Sequence, residues 1–376
     1  MKIAFDLVCT NVNSGSLTYL INILQGLKDY VPHKCIVIFL CKNTFNRHKN
    51  ILIKCKNVEI IKVSNNYSLS YFKIFWIQII LPLNLKKLGI RELFSPLNYS
   101  PLINKYLKIK TTLAIHSNLP WVNFKLMPGN YFKKILIKFF MEKAIKNCDT
   151  IICASKAAKN EISKIFKITK KVKFIYLNIN EEFFKKRNNF YLEKINYQHK
   201  YLLTITSCAK YHNILNLLKA FHKLKKENKI KVKYYMVLTI LDYKYFKETI
   251  LFLKKKNLIN DVKIILNVDA KYLFNLYKNA CAYIFTSYSE VFGYTSLESM
   301  QMNCPVAMSN LISAKEINGS AALYFKPNNI NQICQKMHLL INNKKIQNEL
   351  KKKGKQNIKN FLPGSYLNKL KKILVI

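Results

Sequence analysis

The sequence predicts an α/β protein built from two doubly wound parallel sheets. The chain of 376 residues is longer than one ordinary domain and suits two domains of roughly 150 to 200 residues each. Half of its residues are hydrophobic, which is enough for two sizeable cores. In both halves, short apolar runs typical of buried strands alternate with segments of helical periodicity, and this alternation indicates parallel sheets covered by helices.

The N-terminal half begins with a predicted strand at 2–8, a polar turn that contains Gly15, and a helix with apolar positions from 17 to 27. A single glycine is a weak phosphate-loop signal, and a helix N-terminus that needs a flexible residue explains it equally well. Further strands are predicted at 35–41, 58–63, 111–115, 149–153 and 172–177, and helices at 71–87, 131–147 and 155–166. We therefore expect an N-terminal domain over residues 1–178.

Periodicity is lost over residues 179–199, which we interpret as an interdomain linker. The pattern restarts with a strand at 201–206, a polar loop at 207–213 and a helix at 214–224. Later strands are predicted at 232–239, 262–266, 282–286, 305–308 and 321–325. A C-terminal domain over 200–362 follows, and residues 363–376 are expected to form a last helix that can cross back to the N-terminal domain.

The charge of the chain favours anionic partners. Lys and Arg number 63 against 19 Asp and Glu, a formal net charge of +44, and such a protein is attracted to lipid headgroups, nucleic acid or phosphorylated substrates. Lysine is spread from end to end rather than gathered in a stripe, so coding bias is the larger contributor and no nucleic acid is expected as a partner. A basic nucleic-acid-binding protein stays open as an alternative class.

The ten cysteines form no Cys-x-x-Cys pair, and several lie in apolar runs where a thiol behaves as a small hydrophobe. This usage predicts a reducing, cytoplasmic location. The N-terminus has the acid Asp6 and no long apolar core, so we expect no signal peptide. The most apolar stretch, 72–83, is too short for a bilayer, which needs roughly 20 residues.

The segment 131–147 has the pattern of a basic amphipathic helix. Phe132, Ile135 and Phe139 lie on one helical face, and lysines lie on another. Such a helix can lie on the anionic inner face of a membrane as a peripheral contact. We favour the alternative that its apolar face packs on the sheet, because the segment stands in the middle of an α/β pattern.

Two carboxylates follow the predicted strand at 282–286. Glu290 lies on the loop and Glu298 within the helix that opens at Gly293, so both lie at the carboxyl end of a parallel strand, where open α/β sheets bind ligands. If 290–298 were one helix, the two carboxylates would be about 12 Å apart. A hydrolase pair needs them roughly 5 to 10 Å apart across one bond. The two Glu are therefore expected to hold opposite ends of a long ligand.

His116 directly follows the strand at 111–115. A histidine at the carboxyl end of a strand is well placed for chemistry, but a lone histidine is more often a satisfied structural residue. From spacing alone, the structural interpretation is favoured.

Several segments in the same order resemble the glycosyltransferase family 4 enzymes, also called glycosyltransferase group 1. Glu290 and Glu298 match the Glu-x7-Glu signature of that family within Ser-x-x-Glu-x-Phe-Gly, and the residues Asp149-Thr-Ile-Ile-Cys-Ala-Ser match its Asp-x-Ile-Ile-x-x-Ser. The stretches 173–184, 95–99 and 114–117 are similar to further family segments. The resemblance implies the GT-B fold, with two facing Rossmann-like domains and a cleft between them.

The resemblance also implies a function. The family transfers a hexose-type sugar from a nucleoside diphosphate sugar to a glycan or lipid-linked acceptor, in surface polysaccharide or glycoconjugate synthesis, with retention of anomeric configuration. By this resemblance Glu290 contacts hydroxyls of the donor sugar, Glu298 contacts the ribose, and His116 lies near the transferred sugar. His116 and Glu290 are thus expected to be catalytic. The donor-binding residues are expected to be Gly15, Lys210, His212, Phe292, Gly293, Tyr294, Thr295 and Glu298.

The sequence departs from the family pattern around the diphosphate. Ser207 and His212 stand where the family has an Arg and a Lys, and Val291 stands where it has a glycine. Lys210 can restore one charge, whereas a left-handed backbone at Val291 would be strained. An inactive GT-B protein that binds a sugar nucleotide therefore stays open as an alternative.

No metal or other cofactor is expected. The chain contains no Asp-x-Asp, the motif that would hold a metal-bound diphosphate. Cationic side chains and the N-terminus of a helix would stabilise the leaving group instead.

Overall fold

The computed structural model describes residues 2–8, 15–28, 34–53, 58–169, 171–179, 195, 199–228, 230–268, 270–362 and 364–374. The chain divides into two compact units. Unit 1 comprises Met1–Asn118, Tyr131–Asn180 and Pro363–Ile376, and unit 2 comprises Leu119–Asn130 and Glu181–Leu362. Most of the predicted linker, 179–199, lies outside the described residues.

The strands and helices alternate along most of the chain. The strands are β1 (Lys2–Asp6), β2 (Cys35–Cys41), β3 (Val58–Val63), β4 (Glu92–Ser95), β5 (Lys110–Ile115), β6 (Thr150–Cys153), β7 (Val172–Phe174), β8 (Tyr201–Cys208), β9 (Lys233–Ile240), β10 (Val262–Leu266), β11 (Ala282–Phe285), β12 (Val306–Ser309) and β13 (Ala322–Phe325). The helices are α1 (Gly15–Lys28), α2 (Lys42–Leu52), α3 (Ser70–Phe75), α4 (Leu81–Lys87), α5 (Leu119–Val122), α6 (Tyr131–Asn147), α7 (Lys156–Phe166), α8 (Ile214–Asn228), α9 (Tyr243–Lys255), α10 (Ala270–Asn279), α11 (Tyr294–Gln301), α12 (Ile312–Asn318), α13 (Ile330–Asn342), α14 (Lys344–Asn357) and α15 (Ser365–Leu374).

Each unit contains one parallel sheet, which confirms the predicted fold class. The sheet of unit 1 has the order β3-β2-β1-β4-β5-β6-β7, and that of unit 2 the order β10-β9-β8-β11-β12-β13. Central strands such as β2 are buried along almost their whole length, as expected for a parallel sheet covered on both faces. The edge strand β3 is more exposed and carries Glu59, which is paired with Lys2 at 3.3 Å.

The connections from β3 to β4, β4 to β5 and β5 to β6 all advance in the same direction across the sheet of unit 1. Because such crossovers are right-handed, their connecting segments lie on the same face of the sheet. We call these segments, residues 69–87, 102–108 and 131–147, the crossover layer. Gln78 hydrogen-bonds the carbonyl of Ser100 and the amide of Leu102, and Asn147 hydrogen-bonds the carbonyl of Leu102, so the three segments adjoin.

The helical region at 70–87 runs from α3 to α4 through one wider, π-helical turn at Trp76–Ile80. Trp76 projects from this turn to the end of β1, where its Nε1 donates to Asp6 Oδ1 at 3.0 Å. Asp6 is only 4% exposed. Burial raises the pKa of its carboxyl to about 6, although the Trp76 hydrogen bond and the charge of Lys73 oppose this rise.

The C-terminal helix α15 belongs to unit 1 and packs on α1. A Cβ atom built on Gly26 would lie 2.7 Å from Leu367 Cδ2, so a larger residue at that position would require the Leu367 side chain to shift. One end of α15 is held by Lys34, whose Nζ donates to the carbonyl of Leu374 at 3.2 Å.

One segment departs from the predicted domain boundaries. Residues Leu119–Asn130, which we expected within the N-terminal domain, group with unit 2, where the Asn123 side chain donates to the Tyr288 carbonyl at 3.5 Å. Helix α2 was not predicted either, because its sequence of Asn, Lys and His has little apolar periodicity. Among the described helices, none is both long enough and apolar enough to span a bilayer.

Candidate active site

The candidate site of unit 2 lies where the order of the strands reverses. The chain leaves β8 towards β9 on one side and leaves β11 towards β12 on the other, although β8 and β11 are neighbours. Ligands of open α/β sheets bind in the crevice that such a switch point leaves at the carboxyl ends of the strands. Two loops leave these ends: 207–213 after β8 and 286–293 after β11.

Hydrogen bonds join the two loops directly. The amide of Tyr288 donates to the carbonyl of Tyr211 at 2.7 Å, and Thr286 Oγ1 donates to the carbonyl of His212 at 3.0 Å. Asn216, in the first turn of α8, donates to the Tyr288 hydroxyl at 3.1 Å. The sequence-predicted residues of the two loops are therefore brought to one edge of the sheet.

Glu290 lies in a nest of backbone amides. Its carboxylate accepts hydrogen bonds from the N–H groups of Val291, Phe292 and Gly293, which lower its pKa, but burial dominates and raises the pKa to about 7. The carbonyl of Glu290 accepts a hydrogen bond from Ser313 Oγ. Successive amides that converge on one oxygen anion form an anion-binding concavity, so these amides can receive either the carboxylate or oxygens of a ligand.

Gly293 is the residue that turns the loop into helix α11. It adopts a left-handed conformation with φ of +89°, and its carbonyl accepts from Ser296 Oγ at 2.8 Å. The strain that we expected at Val291 is not found, because Val291 is not among the residues with positive φ. The left-handed position falls two residues later, on a glycine that adopts it without steric cost.

Glu298 lies inside α11 and is 7% exposed. The Tyr277 hydroxyl donates to its Oε2 at 3.1 Å. Burial raises the pKa of Glu298 to about 7, and the hydrogen bond from Tyr277 only partly offsets this. Neither Glu290 nor Glu298 forms an ion pair with a described side chain, so both carboxyls take up a proton near neutral pH.

The other predicted residues of this loop and helix are held by aromatic side chains. The Tyr283 hydroxyl hydrogen-bonds Thr295 Oγ1 at 2.7 Å and donates to the Ile205 carbonyl at 3.0 Å. The Phe292 ring is buried and packs edge-on against Tyr294 and Phe361. Phe292 can therefore meet a ligand through its backbone amide and not through its ring.

The loop at 207–213 presents little positive charge to this site. His212 is 7% exposed, its ring lies against Tyr211, and its Nε2 is 3.5 Å from Ser207 Oγ. Burial lowers the pKa of His212 to about 3, so the ring is neutral at physiological pH. Lys210 is half-buried at the start of the turn Lys210–His212, where its carbonyl accepts from the Asn213 amide, and its ammonium has no hydrogen-bond or ion-pair partner among the described residues.

The remaining two predicted residues, Gly15 and His116, belong to unit 1. Gly15 is the first residue of α1, and the loop before it, residues 9–14, lies outside the described part of the chain. His116 follows β5, and burial lowers its pKa to about 4 despite a hydrogen bond to the Pro96 carbonyl. Its ring lies against Tyr19 of α1, with centroids 4.3 Å apart.

Sequence reasoning missed the tyrosines that hold these residues. Tyr19 contacts His116, Tyr277 bonds Glu298 and Tyr283 bonds Thr295. No local pattern singles them out, because each lies at an ordinary apolar position of its helix or strand. The buried position of Asp6, which accepts from Trp76, could in principle have been predicted, since an acid at the end of the apolar first strand is an unusual feature of the sequence.

Among the residues that the structure describes, no group of three His, Cys, Asp or Glu side chains could hold a metal ion.

Comparison with solved structures identifies the architecture. HepE of Anabaena in complex with UDP-glucose superposes with a TM-score of 0.76 at 14% identity, over 100% of this chain and 99% of that chain. A glycosyltransferase from Rickettsia africae superposes with a TM-score of 0.70 at 17% identity, over 99% and 97% of the two chains. Two parallel-sheet units of this order, with a ligand site at the switch point, define a protein of the GT-B fold.

Comparison with protein families carries the identification further. Residues 185–357 match the model of the family described as glycosyl transferases group 1. The matched residues include both loops of the candidate site and the two acids Glu290 and Glu298. Over this region, which is less than half of the chain, the protein matches the group 1 glycosyltransferases, the family that its sequence motifs resemble.

Two curated relatives act in glycan assembly. The O-antigen chain mannosyltransferase RfbU of Salmonella typhimurium is 24% identical over 221 residues, which are 57% of this chain and 56% of that protein. The alignment thus spans little more than half of the Salmonella protein. The N-acetylgalactosamine-N,N'-diacetylbacillosaminyl-diphospho-undecaprenol 4-alpha-N-acetylgalactosaminyltransferase of Campylobacter jejuni is 26% identical over 315 residues, 81% of each chain.

Proposed function

We propose that the protein transfers a hexose-type sugar from a nucleoside diphosphate sugar to a glycan or lipid-linked acceptor, with retention of configuration at the sugar. The observation that carries this proposal is the arrangement of Glu290 and Glu298 around the N-terminus of α11 at the switch point of unit 2. One carboxyl lies in the amide nest before the helix, and the other lies within the helix beside Tyr277. The two carboxyls are therefore suited to bind the two ends of one ligand.

Each end of that ligand has a distinct partner. Glu298 would accept hydrogen bonds from the ribose hydroxyls, because Tyr277 already occupies one position of its carboxyl and holds the group in place. Glu290 would bond hydroxyls of the donor sugar. The diphosphate would then meet the Lys210 ammonium and the amides near Gly293, which the Glu290 carboxylate would give up on binding, since N–H groups at a helix N-terminus attract anions.

The proposed reaction needs no metal ion. The bond between the anomeric carbon and the diphosphate oxygen breaks, a bond from the acceptor oxygen forms on the same face, and the acceptor proton passes to the departing phosphate. Lys210 and the amides at the start of α11 would stabilise the negative charge on that phosphate. Neutral His116, whose Nε2 has a free lone pair, would accept a hydrogen bond from the transferred sugar.

The acceptor class is proposed from the relatives. The Salmonella protein is named for an O-antigen chain and the Campylobacter protein for a diphospho-undecaprenol glycan, so a lipid-linked glycan at the inner membrane face is the acceptor that fits both. The structure of HepE contains UDP-glucose, so UDP is the first donor nucleotide to test.

A panel of UDP, GDP, ADP and dTDP sugars, screened for an increase in melting temperature, tests donor binding without knowledge of the acceptor. We expect one nucleotide class to raise the melting temperature and the Glu298→Ala variant to lose that increase. Transfer to a lipid-linked glycan pool should then release nucleoside diphosphate in the presence of a chelator. Stabilisation by no nucleotide sugar, or activity that depends on added magnesium, would contradict the proposal.

A second candidate function is that of an inactive sugar-nucleotide-binding protein. It is favoured by one observation: the two cations of the family pattern are replaced by Ser207 and by the buried, neutral His212. Binding of a nucleotide sugar without release of nucleotide for any acceptor would select this alternative.

We also propose that unit 1 rests on an anionic membrane surface through its crossover layer. Our expectation that the apolar face of α6 packs on the sheet was wrong: its buried residues are Met141, Ala144 and Ile145, whereas Phe132 is 74% exposed. The large apolar side chains that the layer exposes are Leu69, Phe72, Phe75, Ile79, Leu83, Ile103, Tyr106, Tyr131, Phe132, Ile135 and Phe139. Exposed apolar surface of this extent marks a site of interaction.

Charge favours a membrane as the partner of this surface. The crossover layer is rich in lysine, with Lys133, Lys134 and Lys138 on α6 alone, and basic residues beside apolar ones bind anionic lipid headgroups while the apolar side chains enter the interface. This orientation would bring the protein to a lipid-linked acceptor.

Sedimentation with vesicles tests the membrane proposal. We expect the protein to sediment with vesicles of phosphatidylglycerol and phosphatidylcholine but not with phosphatidylcholine alone, and the Phe132→Glu/Phe139→Glu variant to stay in the supernatant. A matched control, Tyr243→Glu/Leu251→Glu, changes two equally exposed apolar residues of unit 2 and should sediment normally. Equal sedimentation of both double variants would contradict the assignment of the surface.

A further inference from the structure

The ring of His116 is held in one orientation by the Pro96 carbonyl and by the ring of Tyr19. We propose that Tyr19 is a positioning residue for His116, and that Tyr366, carried by the C-terminal helix α15, in turn positions Tyr19. The inference deepens the proposed function, because it concerns the histidine that we place near the transferred sugar.

The hydrogen bonds of His116 identify its tautomer. The backbone N–H of His116 donates to Asn98 Oδ1 at 2.6 Å, and a ring nitrogen bonds the Pro96 carbonyl. A carbonyl only accepts, so that ring nitrogen carries a hydrogen. Nε2 is shielded from solvent and has no hydrogen-bond partner among the described residues. The donor is therefore Nδ1, and Nε2 keeps its lone pair for a ligand.

Rotation of the His116 ring about its Cβ–Cγ bond would break the hydrogen bond to Pro96 and redirect Nε2. The Tyr19 ring opposes the rotation, because it lies against the His116 ring with centroids 4.3 Å apart and planes inclined by 60°. Tyr19 is itself 1% exposed, so it cannot move aside into solvent.

Tyr19 is anchored by α15. Its hydroxyl is hydrogen-bonded to the hydroxyl of Tyr366, and the two rings meet edge to face with centroids 5.2 Å apart. Both side chains are buried, so each hydroxyl satisfies the other in a place that excludes water. Tyr19 and Gly26 are seven residues apart and lie on the same face of α1. Through the contact of Leu367 with Gly26, α15 thus packs on the face of α1 that carries Tyr19.

The consequence is that the last helix of the chain sets the direction of a lone pair beside the proposed sugar site. α15 bears no charged or nucleophilic group towards His116, and its effect passes through two tyrosine rings. A residue with this role should alter the tautomer and the pH response of the histidine as well as the stability of unit 1.

Nitrogen NMR of protein labelled with ¹⁵N-histidine tests the proposal directly. The chain has seven histidines, and loss of one signal set in His116→Gln assigns the ring. In the wild type we expect the neutral Nδ1–H tautomer at pH 6. In Tyr19→Leu we expect both neutral tautomers and a pKa raised by about one unit or more towards the ordinary value. Tyr366→Phe, which keeps both rings, should shift the ring signals in the same direction by less.

The control is Tyr245→Leu, which removes a buried tyrosine of unit 2 whose hydroxyl accepts from the Leu215 amide at 3.0 Å. It should leave the His116 signals unchanged. If Tyr19→Leu does not fold, Tyr366→Phe decides alone, since it removes a single oxygen. Unchanged His116 signals in a folded Tyr19→Leu, or in Tyr366→Phe when Tyr19→Leu fails to fold, overturn the proposal.

Kinetics give a second, separate reading. We expect Tyr19→Leu to lower kcat about 10-fold with the KM for the donor nearly unchanged, because a misdirected hydrogen bond affects the reacting sugar more than nucleotide binding. If the wild type transfers no sugar at all, the proposed function fails, but the NMR spectra still decide whether Tyr19 and Tyr366 position His116.

Discussion

The candidate groups of the two units respond to burial in opposite directions. In unit 2, burial raises the pKa of Glu290 and Glu298 to about 7. In unit 1, burial lowers the pKa of His116 to about 4. Each group is shielded from water without an opposite charge beside it, so each is driven towards its neutral form.

The candidate groups of each unit are far less charged than the protein around them. The chain carries a formal net charge of +44, yet both acids of unit 2 can be protonated near neutral pH, and both candidate histidines, His116 of unit 1 and His212 of unit 2, are neutral. The two loops of the unit 2 site, 207–213 and 286–293, contribute one cation, Lys210. Apart from Lys210, none of the residues to which we assign the proposed chemistry carries the positive charge of the molecule.

The largest expected effect is the loss of kcat when Glu290 of unit 2 is replaced. Glu290→Gln should lower kcat by about 100-fold or more, because it weakens interactions with the sugar that matter most in the transition state, while the nucleotide still raises the melting temperature. Steady-state kinetics and thermal unfolding measure the two quantities. Glu349→Gln, at an exposed residue paired with Lys353, is the control, and equal activity of both variants would remove Glu290 from the site.

The opposite pKa shifts predict opposite contributions of Glu298 and His116 to the pH dependence of stability. Between pH 4.5 and about 7, folded Glu298 binds more protons than unfolded Glu298, so the stability of unit 2 falls as pH rises. Between about pH 4 and 6.5, folded His116 binds fewer protons than the unfolded residue, so its contribution to the stability of unit 1 rises over this range. Asp6 of the same unit, whose pKa burial raises to about 6, contributes in the opposite direction.

For Glu298 the effect is on the order of 3 kcal/mol across its window. Hydrogen exchange read by mass spectrometry at a series of pH values, corrected for intrinsic rates, measures each unit separately. Glu298→Gln should be more stable than the wild type at pH 8 and lose about half of the dependence in unit 2, because the pKa of Glu290 is raised to the same value. In unit 1, His116→Gln should remove the rising contribution and leave the falling contribution of Asp6. An unchanged pH dependence of both units in these variants would refute the comparison.

A smaller effect is expected at the nucleotide end of the unit 2 site. Glu298→Ala should weaken nucleotide binding roughly 30-fold, the equivalent of one lost hydrogen bond to a charged group, and should change kcat less than Glu290→Gln does. Calorimetric titration with the nucleotide that stabilises the wild type measures the change. Tyr277→Phe should weaken binding in the same direction by less, since it only frees the Glu298 carboxyl to move.

The smallest expected effect is a gain. Ser207→Arg places a cation where the family pattern has one, and it should tighten binding of the diphosphate about 10-fold. Ser207→Gln, of similar length but uncharged, should leave the affinity nearly unchanged. The same measurement applies, and equal affinities for the two variants would show that the diphosphate lies elsewhere.

The sequence predicted the elements of the fold closely because their signals are local. Strands β2, β3 and β10 and helix α6 have the predicted bounds, and the turn into α11 falls at Gly293 as expected. The outward direction of the α6 apolar face was not predicted, since periodicity shows that a face exists but not what covers it.

The site was predicted only as far as its motif extends. Glu290 and Glu298 are eight residues apart and share one loop and helix, so a pattern can find both. Tyr19, His116 and Tyr366 meet only through tertiary packing, and nothing local to each residue indicates the contact. His212 was expected among the donor-binding residues, and its burial could not be predicted, because that burial depends on Tyr211 and Phe285, which surround it only in the folded unit.

The hydrogen bond from Trp76 to Asp6 gives the protein a built-in optical probe. The chain has two tryptophans, and the units divide them evenly, with Trp76 in unit 1 and Trp121 in unit 2. Trp76 is 1% exposed, and its indole lies beside a carboxyl that titrates near pH 6. Fluorescence of Trp121→Phe would therefore report the ionisation of Asp6 and the unfolding of unit 1, and Trp76→Phe would report unit 2 alone.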